Sequence, residues 1–389
     1  MQRFDFNQII DRRQSGAEKW DDCKNIFGCD DVLPMWVADM DFPSPPEVVS
    51  ALMSRASHGV YGYPVKGDSY YQAAIDWVKD RHDWTVERGW INSTPGVVSA
   101  MSIAVQAFTN PGDKVLIQPP VYPGFFKAVQ NNGRKLVENP LSWNGDRYVI
   151  DFTDLDAKLA TGVKVVILCS PHNPVGRVWT QEELMRLGEI CLNHGVLVIA
   201  DEIHSDLVFR GHNHLPFAAL SPDFAANSVT CISPSKTFNV AGLNTALTII
   251  PDDGLRRRYQ AVLGAMHVEE GNIFGITALE AAYRQGESWL ENVLAYLEEN
   301  ADLVVSYFQK LDNGIKTIKP EATYLAWLDC RELGLEVAKV PTFFIHKAKV
   351  GLSDGRRFGE QGAGFMRLNF ACPREVLIQG LERISAALS

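Results

Sequence analysis

Between residues 90 and 250 the sequence alternates short apolar runs with longer amphipathic stretches. The short runs place Val, Ile and Leu at consecutive positions, so both faces of each strand are expected to be buried, as in a parallel sheet covered by helices. The predicted strands are 114–118, 163–169, 196–200, 229–233 and 245–250. The predicted helices are 97–108, 181–193 and 255–263, and the second begins with a capping box at Thr180. This alternation indicates an α/β fold with a mostly parallel central sheet.

The rest of the chain has a different character, and its 389 residues exceed what one hydrophobic core usually serves. It contains a long helical tract, two further predicted strands and a closing helix, at 274–309, 324–330, 364–370 and 374–388. We therefore predict a large α/β domain over residues 48–285 and a smaller α+β domain formed by residues 1–47 and 286–389. The proline-rich stretch 43–46 marks the expected crossing between them.

Charge and composition exclude several classes of function. The chain has 37 Lys and Arg against 47 Asp and Glu, a net charge of −10, whereas nucleic-acid binding needs clustered positive charge. The longest apolar runs are far shorter than the roughly 20 residues of a membrane-spanning helix. Residues 1–11 lack the basic start and apolar core of a secretory signal, and seven scattered cysteines predict reduced thiols. We expect a cytoplasmic protein with no nucleic-acid or membrane partner.

Three motifs for other chemistries lack the context they need. Residues 62–67 have the glycine spacing of a P-loop, but an Asp follows where Lys is required. Residues 351–355 match G-x-S-x-G, yet two arginines follow instead of an apolar helix. His204, His212 and His214 could form a metal cluster, but no carboxylate spacing completes it, so a polar turn is the preferred interpretation. No metal is predicted, and metal-dependent hydrolysis ranks last among the possible functions.

Three polar segments each follow a predicted strand, at the end of the sheet where open α/β folds bind ligands. They are 170–176 (SPHNPVG), 201–204 (DEIH) and 233–239 (SPSKTFN). Each alone is ordinary turn or cap chemistry. Together they offer the amine of Lys236 for a Schiff base, the carboxylate of Asp201 to keep a pyridine nitrogen protonated, and the amide of Asn173 for a phenolic oxygen. Those are the groups that pyridoxal phosphate requires.

With these motifs in this order, the chain resembles the fold-type I pyridoxal-phosphate enzymes, the aspartate aminotransferase superfamily, over nearly its whole length. It is similar in particular to the MalY/PatB branch, which contains cystathionine β-lyases and cystalysin-type carbon–sulfur lyases. The segments that carry this closer resemblance are 35–42 (MWVADMDF), 61–63 (YGY), 94–98 (TPGVV), 201–204 (DEIH) and 235–239 (SKTFN). The resemblance implies the aspartate aminotransferase-like fold.

The resemblance also implies roles for the residues that match. Lys236 would carry the cofactor, Asp201 would pair with the ring nitrogen and Asn173 would bind the phenolic oxygen. Tyr122 would stack on the ring, and Arg367 would bind the α-carboxylate of the amino acid through its planar fork.

Further matching residues would hold the cofactor phosphate. Backbone amides of Val97 and Val98 begin a helix, where an anion is favoured. Ser233 and Ser235 would add hydroxyl donors. Tyr61 would reach the phosphate of the neighbouring subunit, which makes a homodimer part of the site.

Two positions depart from the wider family in ways that agree with the MalY/PatB branch. His204 stands beside the cofactor where aminotransferases usually have Tyr, and Asn244 stands where they have a phosphate-binding Arg. We therefore predict a carbon–sulfur β-lyase of sulfur amino acid metabolism, including methionine biosynthesis, acting on cystathionine or a related S-substituted cysteine. Lys236 would be the general base, and Tyr122 or Tyr61 would protonate the leaving sulfur or tune the lysine. The alternatives are an aminotransferase, which the same residues would serve, and a regulatory protein that binds a partner.

Overall fold

A computed structural model describes residues 4–311 and 314–388. The strands are, in chain order, β1 (Leu33–Pro34), β2 (Ile91–Thr94), β3 (Lys114–Ile117), β4 (Lys135–Glu138), β5 (Ser142–Trp143), β6 (Tyr148–Val149), β7 (Val163–Cys169), β8 (Leu197–Asp201), β9 (Ser228–Ile232), β10 (Ala246–Ile249), β11 (Leu325–Asp329), β12 (Val350–Gly351), β13 (Ser353–Asp354) and β14 (Phe365–Asn369). The α-helices are α1 (Glu18–Asp21), α2 (Cys23–Phe27), α3 (Pro46–Ser57), α4 (Asp68–His82), α5 (Val97–Phe108), α6 (Pro123–Gln130), α7 (Phe152–Leu159), α8 (Gln181–Asn193), α9 (Pro222–Ala226), α10 (Pro234–Thr237), α11 (Asp253–Ala265), α12 (Ile273–Gln285), α13 (Glu287–Leu311), α14 (Val340–His346) and α15 (Arg374–Leu388).

The central sheet has seven strands in the order β2-β10-β9-β8-β7-β3-β4. Strands β4, β3, β7, β8 and β9 pair in parallel, which confirms the predicted fold class. The parallel orientation predicted for the strand at 245–250 is wrong, because β10 runs antiparallel to both of its neighbours. The chain between β9 and β10 holds only the four-residue helix α10 and a 3₁₀ turn, whereas a parallel return usually needs a full crossover helix.

Helices cover both faces of this sheet. Helices α5, α6 and α11 pack on one face around Val115, Ile117 and Ile199, and α7, α8 and α9 pack on the other around Val166 and Val198. Strands buried on both faces therefore account for the continuous apolar runs. Helix α8 begins with the predicted capping box, in which Thr180 accepts from the amide of Glu183.

The C-terminal region forms a second, three-stranded antiparallel sheet in the order β11-β14-β13. The helical tract predicted as continuous is two helices, α12 and α13, separated at Gly286, where an added Cβ would lie 2.5 Å from the Ala282 carbonyl oxygen. The division into domains 48–285 and 1–47 with 286–389 stays a prediction. Residues 1–3, of the N-terminal segment predicted to lack the features of a secretory signal, lie outside the described residues. Residues 312, 313 and 389 of the predicted smaller domain also lie outside them. Within the described ranges, no helix combines the length and the apolar character needed to cross a bilayer.

Candidate active site

The carboxyl ends of β7, β8 and β9, which are neighbours in the sheet, open into a cleft of about 380 Å³. The three predicted polar segments follow these strands, so the sheet brings together residues far apart in the sequence. The cleft is lined by the predicted site residues Val97, Val98, Tyr122, Asn173, Asp201, His204, Ser235 and Lys236. Three predicted site residues do not line the cleft. Arg367 is hydrogen-bonded to the lining residue Asn173, whereas Ser233 and Tyr61 lie elsewhere.

Lys236 lies in the short helix α10, and its Nζ donates a hydrogen bond to the Ala38 carbonyl oxygen at 2.7 Å. Burial lowers the pKa of this amine from 10.5 to about 8, opposed by Asp39 and assisted by the positive charge of Arg367. A lysine with this pKa is a much better nucleophile and base near neutral pH than a solvated one.

Asp201 ends β8 and is 4% exposed. Its Oδ1 accepts from the backbone N–H of Ile203 at 3.1 Å, and no cation pairs with it among the described residues. Burial therefore raises the pKa of this carboxyl to about 7. A buried acid that faces a cleft without a cationic partner fits the protonated ring nitrogen of pyridoxal phosphate, which would supply that partner.

Arg367, on β14, is buried and donates through Nη1 to Asn173 Oδ1 at 3.1 Å and through Nη2 to the Trp36 carbonyl oxygen at 2.8 Å. Within the described residues no carboxylate pairs with it, and its Nε has no hydrogen-bond partner. Burial lowers the pKa of this guanidinium to about 10. A buried guanidinium without an acidic partner is suited to bind the carboxylate of a substrate. Because Arg367 uses the Oδ1 atom of Asn173, the Nδ2 group of Asn173 can donate a hydrogen bond to another acceptor.

One end of the cleft is the start of helix α5. Gly96 caps this helix without a side chain, and the first helical residues, Val97 and Val98, line the cleft. Ser99, which the sequence reasoning missed, lies in the same turn. A helix start that offers unpaired N–H groups fits the phosphate of the cofactor.

Ser233 has a different surrounding from that expected of a phosphate ligand. It is the N-cap of α10, accepts from the amide of Ser235 at 3.1 Å and donates to the Thr245 carbonyl oxygen at 2.7 Å. Its hydroxyl is therefore engaged in fixing the turn that carries Lys236. Ser235 lines the cleft.

His204 and Tyr122 both line the cleft. Burial, together with the charges of Lys236 and Arg367, lowers the pKa of His204 to about 3, so its ring is neutral. Burial raises the pKa of the Tyr122 phenol, so it keeps its proton. The Tyr122 ring lies against Gly124, where an added Cβ would come within 2.4 Å of the ring. Only glycine at position 124 leaves room for the ring.

Tyr61 lies away from the cleft of its own chain. It is 57% exposed, and its hydroxyl donates to the Ala56 carbonyl oxygen at 2.6 Å. Val60, Tyr63 and Val65 beside it are also exposed, Tyr63 by 95% and Val65 by 86%. The contact of Tyr61 with a neighbouring subunit's phosphate stays a prediction.

Segment 35–42 contributes to the site in a way that the sequence did not reveal. The Ala38 carbonyl accepts from both Lys236 and the Tyr324 hydroxyl, the latter at 2.9 Å. Asn239, from the lysine motif, holds the same segment through hydrogen bonds to Met40 and Phe42. Because Ala38 acts through its backbone, no side-chain signal could have found it.

The motifs set aside for other chemistries have structural partners. Ser353 of the G-x-S-x-G match is buried and donates to the Trp36 carbonyl oxygen at 2.9 Å. His214 pairs with Glu202 at 3.1 Å. All seven cysteines are free thiols, and all but Cys29 are buried.

A comparison with protein families gives one match that spans most of the chain. The model of the aminotransferase class I and II family matches residues 30–384. The chain belongs to this family. Among characterised proteins, it is 46% identical to the cystathionine β-lyase PatB of Bacillus subtilis, over 99% of this chain and 100% of that protein. This confirms the resemblance predicted from the motifs.

Two solved structures are very similar to this one. A pyridoxal-phosphate-bound putative aminotransferase from Clostridium difficile has a TM-score of 0.98 at 41% identity, with full coverage of both chains. Cystalysin from Treponema denticola, which contains pyridoxal 5′-phosphate, has a TM-score of 0.96 at 36% identity, over 99% of this chain and 98% of that one. The fold predicted from the resemblance is confirmed.

The lowered pKa of Lys236 leads to a prediction for cofactor capture by the cofactor-free protein. Only the unprotonated amine attacks an aldehyde, so below its pKa the rate should rise about tenfold per pH unit, and above about 8 it should level off. The measurement is the initial rate of absorbance change after pyridoxal phosphate is added, from about pH 7 to about pH 10. A rate that still rises towards the ordinary lysine pKa would contradict the environment described here. The Lys236→Ala variant gives the background from surface lysines.

Proposed function

We propose that this protein is a pyridoxal-phosphate-dependent carbon–sulfur β-lyase. It would convert cystathionine or a related S-substituted cysteine into a thiol, pyruvate and ammonia. The observation that carries the proposal is the meeting of Lys236, Asp201 and Asn173 in one cleft, with Arg367 hydrogen-bonded to Asn173. The names of the relatives PatB and cystalysin support the lyase assignment.

The side chains divide the work of this reaction. When bound, pyridoxal phosphate supplies an electron sink for negative charge on the substrate's α-carbon. Asp201 would hold a negative charge beside the ring nitrogen, and Asn173 would donate to the phenolic oxygen. Val97, Val98 and Ser235 would hold the phosphate.

Substrate handling falls to the other residues of the cleft. Arg367 binds the α-carboxylate at two points and thereby fixes the α-proton near Lys236. The Lys236 amine takes that proton as general base, helped by its lowered pKa. Ala38 orients the amine through its carbonyl oxygen. The Tyr122 phenol, which keeps its proton, is the candidate donor to the leaving sulfur.

The test is the visible spectrum of the holoenzyme during addition of cystathionine, without any keto acid and with pyruvate assayed in parallel. We expect the initial cofactor band to persist while pyruvate accumulates over many turnovers. Conversion of the band to the pyridoxamine form after one equivalent, with no further product, would show that the enzyme is an aminotransferase and not a lyase. Binding of cystathionine without either change would favour a purely regulatory protein.

We also propose a homodimer in which the segment 60–65 contributes to the interface. This is supported by four large apolar or aromatic side chains of the segment that are exposed to solvent, Val60, Tyr61, Tyr63 and Val65. A cluster of exposed side chains of this kind usually marks an interaction surface. A Val65→Asp substitution is expected to shift the mass measured by light scattering from two chains towards one. Val337→Asp, at an exposed valine outside the segment 60–65, should leave the mass unchanged. A wild-type protein that is a monomer at all concentrations would contradict the proposal.

The cytoplasm is the proposed location. The support is the state of the seven cysteines, which are all free although six of them are buried in the fold. Proteins of oxidising compartments more often pair their cysteines.

A further inference from the structure

Two consecutive arginines, Arg356 and Arg357, lie in the 3₁₀ turn Gly355–Phe358 and have unlike surroundings. Arg356 donates through Nε to both carboxylate oxygens of Asp354, at 3.2 and 3.0 Å. Arg357 is exposed, and among the described residues it has neither an ion-pair partner nor a hydrogen-bond acceptor. Arg356 is therefore paired within the protein, whereas the Arg357 guanidinium is available to bind a ligand.

The turn contacts two parts of the site, the strand that carries Arg367 and the segment that carries Tyr122. It follows β13, whose Ser353 is paired in register with Arg367. Phe358, next to Arg357, packs its ring under the Arg367 guanidinium, with 4.8 Å between the guanidinium carbon and the ring centroid. The Phe358 carbonyl oxygen accepts from the amide of Val121, the residue before Tyr122, at 2.9 Å. The residue next to Arg357 therefore contacts both the Arg367 side chain and the backbone that leads into Tyr122.

Close backbone packing holds this turn in place. An added Cβ at Gly355 would lie 2.1 Å from the Gly362 carbonyl oxygen, so the two backbones touch there. Gly359, directly after the turn, has φ +118°, and an added Cβ would meet Pro119 at 2.8 Å. Because the turn is packed on both sides, the backbone of Arg357 is already ordered before a ligand binds. Less conformational entropy is then lost on binding.

The charges around Arg367 are unbalanced in the absence of a ligand. Burial is the main reason why the pKa of Arg367 is lowered, and the nearby positive charge of Arg357 lowers it further. Arg357 also acts to lower the pKa of Tyr122, against the larger effect of burial. Two guanidinium groups thus act on the region around Tyr122, opposed by the carboxylates of Glu18 and Asp201. Among the described residues, neither Arg357 nor Arg367 forms an ion pair with a carboxylate.

We propose that Arg357 is a specificity-determining residue that binds the distal carboxylate of a substrate with a carboxylate at each end. Arg367 would take the α-carboxylate of the cysteine half, and Arg357 the carboxylate of the leaving thiol. The preferred substrate class is then an S-substituted cysteine whose leaving group carries its own carboxylate, as in cystathionine. This inference rests on the proposed function.

The first test compares two substrates in two matched variants, Arg357→Gln and Arg356→Gln. In Arg357→Gln we expect kcat/KM for cystathionine to fall by about 10- to 100-fold, mainly through KM, which is the range for a lost charged hydrogen bond. With S-methylcysteine, which has no distal carboxylate, kcat/KM should stay at the wild-type value. Arg356→Gln should change neither substrate. Equal losses for both substrates in Arg357→Gln, or no loss, would overturn the inference.

A second measurement needs no turnover. The holoenzyme is titrated with 2,7-diaminosuberate, in which carbon replaces the sulfur of cystathionine, and with 2-aminohexanoate, which lacks the second carboxylate. The change in cofactor absorbance gives each dissociation constant. We expect Arg357→Gln to weaken binding of the diacid alone.

The two measurements separate the possible failures. If the wild-type enzyme cleaves neither substrate, the proposed function is wrong. The titration then still shows whether Arg357 binds the second carboxylate. If the wild-type enzyme cleaves both substrates but Arg357→Gln does not distinguish the diacid from the monoacid, only the specificity inference fails.

Discussion

Replacing Lys236 with alanine is expected to lower the turnover of cystathionine by about 10³-fold or more, within the range that a positioned general base contributes. The variant loses the only amine that lines the cleft among the described residues, and with it the group that takes the α-proton. Binding of the cofactor itself should survive in part, because Asp201, Asn173 and the start of helix α5 remain. The measurement is pyruvate release at saturating cystathionine.

A second readout separates loss of chemistry from loss of fold. Borohydride reduction should attach the cofactor covalently to the wild-type chain and not to Lys236→Ala, as measured by mass spectrometry of the intact protein. Lys164→Ala, which removes an exposed lysine on β7, should behave as the wild type in both assays. Partial rescue of Lys236→Ala by added methylamine would identify the missing function as an amine base. Turnover near the wild-type rate in Lys236→Ala would exclude the proposed mechanism.

The part of the site that could be predicted from the sequence is the part encoded locally. Asp201 ends an apolar strand, and Asn173 and Lys236 lie about one turn beyond two others. Parallel strands bring such positions to one edge of a sheet. The strands β7, β8 and β9 are also neighbours in the sheet. Three motifs that are separate in the sequence therefore line the same cleft.

The rest depends on contacts between distant segments, which periodicity does not record. Arg367 and Asn173 are hydrogen-bonded across 194 positions of sequence. The Ala38 carbonyl reaches Lys236 across 198 positions, and backbone atoms carry no residue-type signal. The reversed direction of β10 was missed for a related reason, since an apolar run reveals burial but not the direction of the chain.

Ser233 shows how one residue type can serve two purposes. A serine before a short helix is a common N-cap, and a serine near a phosphate is a common ligand. The motif alone does not separate these roles. The hydrogen bonds of Ser233 to Ser235 and Thr245 give the first role a definite geometry.

Replacing Asp201 with asparagine is the second large change that we expect. Removing one member of a buried ion pair costs about 3–5 kcal/mol, which corresponds to a factor of about 10²–10⁴. Asparagine keeps the size and the bond to the Ile203 amide, but it offers no charge to hold a proton on the ring nitrogen. We therefore expect turnover to fall within that range, with a smaller loss of cofactor affinity.

The neighbouring Glu202 provides a matched control for this prediction. It is as buried as Asp201, but its carboxylate accepts from His214 and from the Phe217 amide, and it does not line the cleft. Glu202→Gln replaces a buried carboxyl group next to the site by an amide and should keep turnover near the wild-type value if the variant is folded by circular dichroism. Equal losses in Asp201→Asn and Glu202→Gln would mean that any buried charge near β8 matters. A loss confined to Asp201→Asn, with the cofactor still bound, would mean that the carboxylate acts on the ring itself.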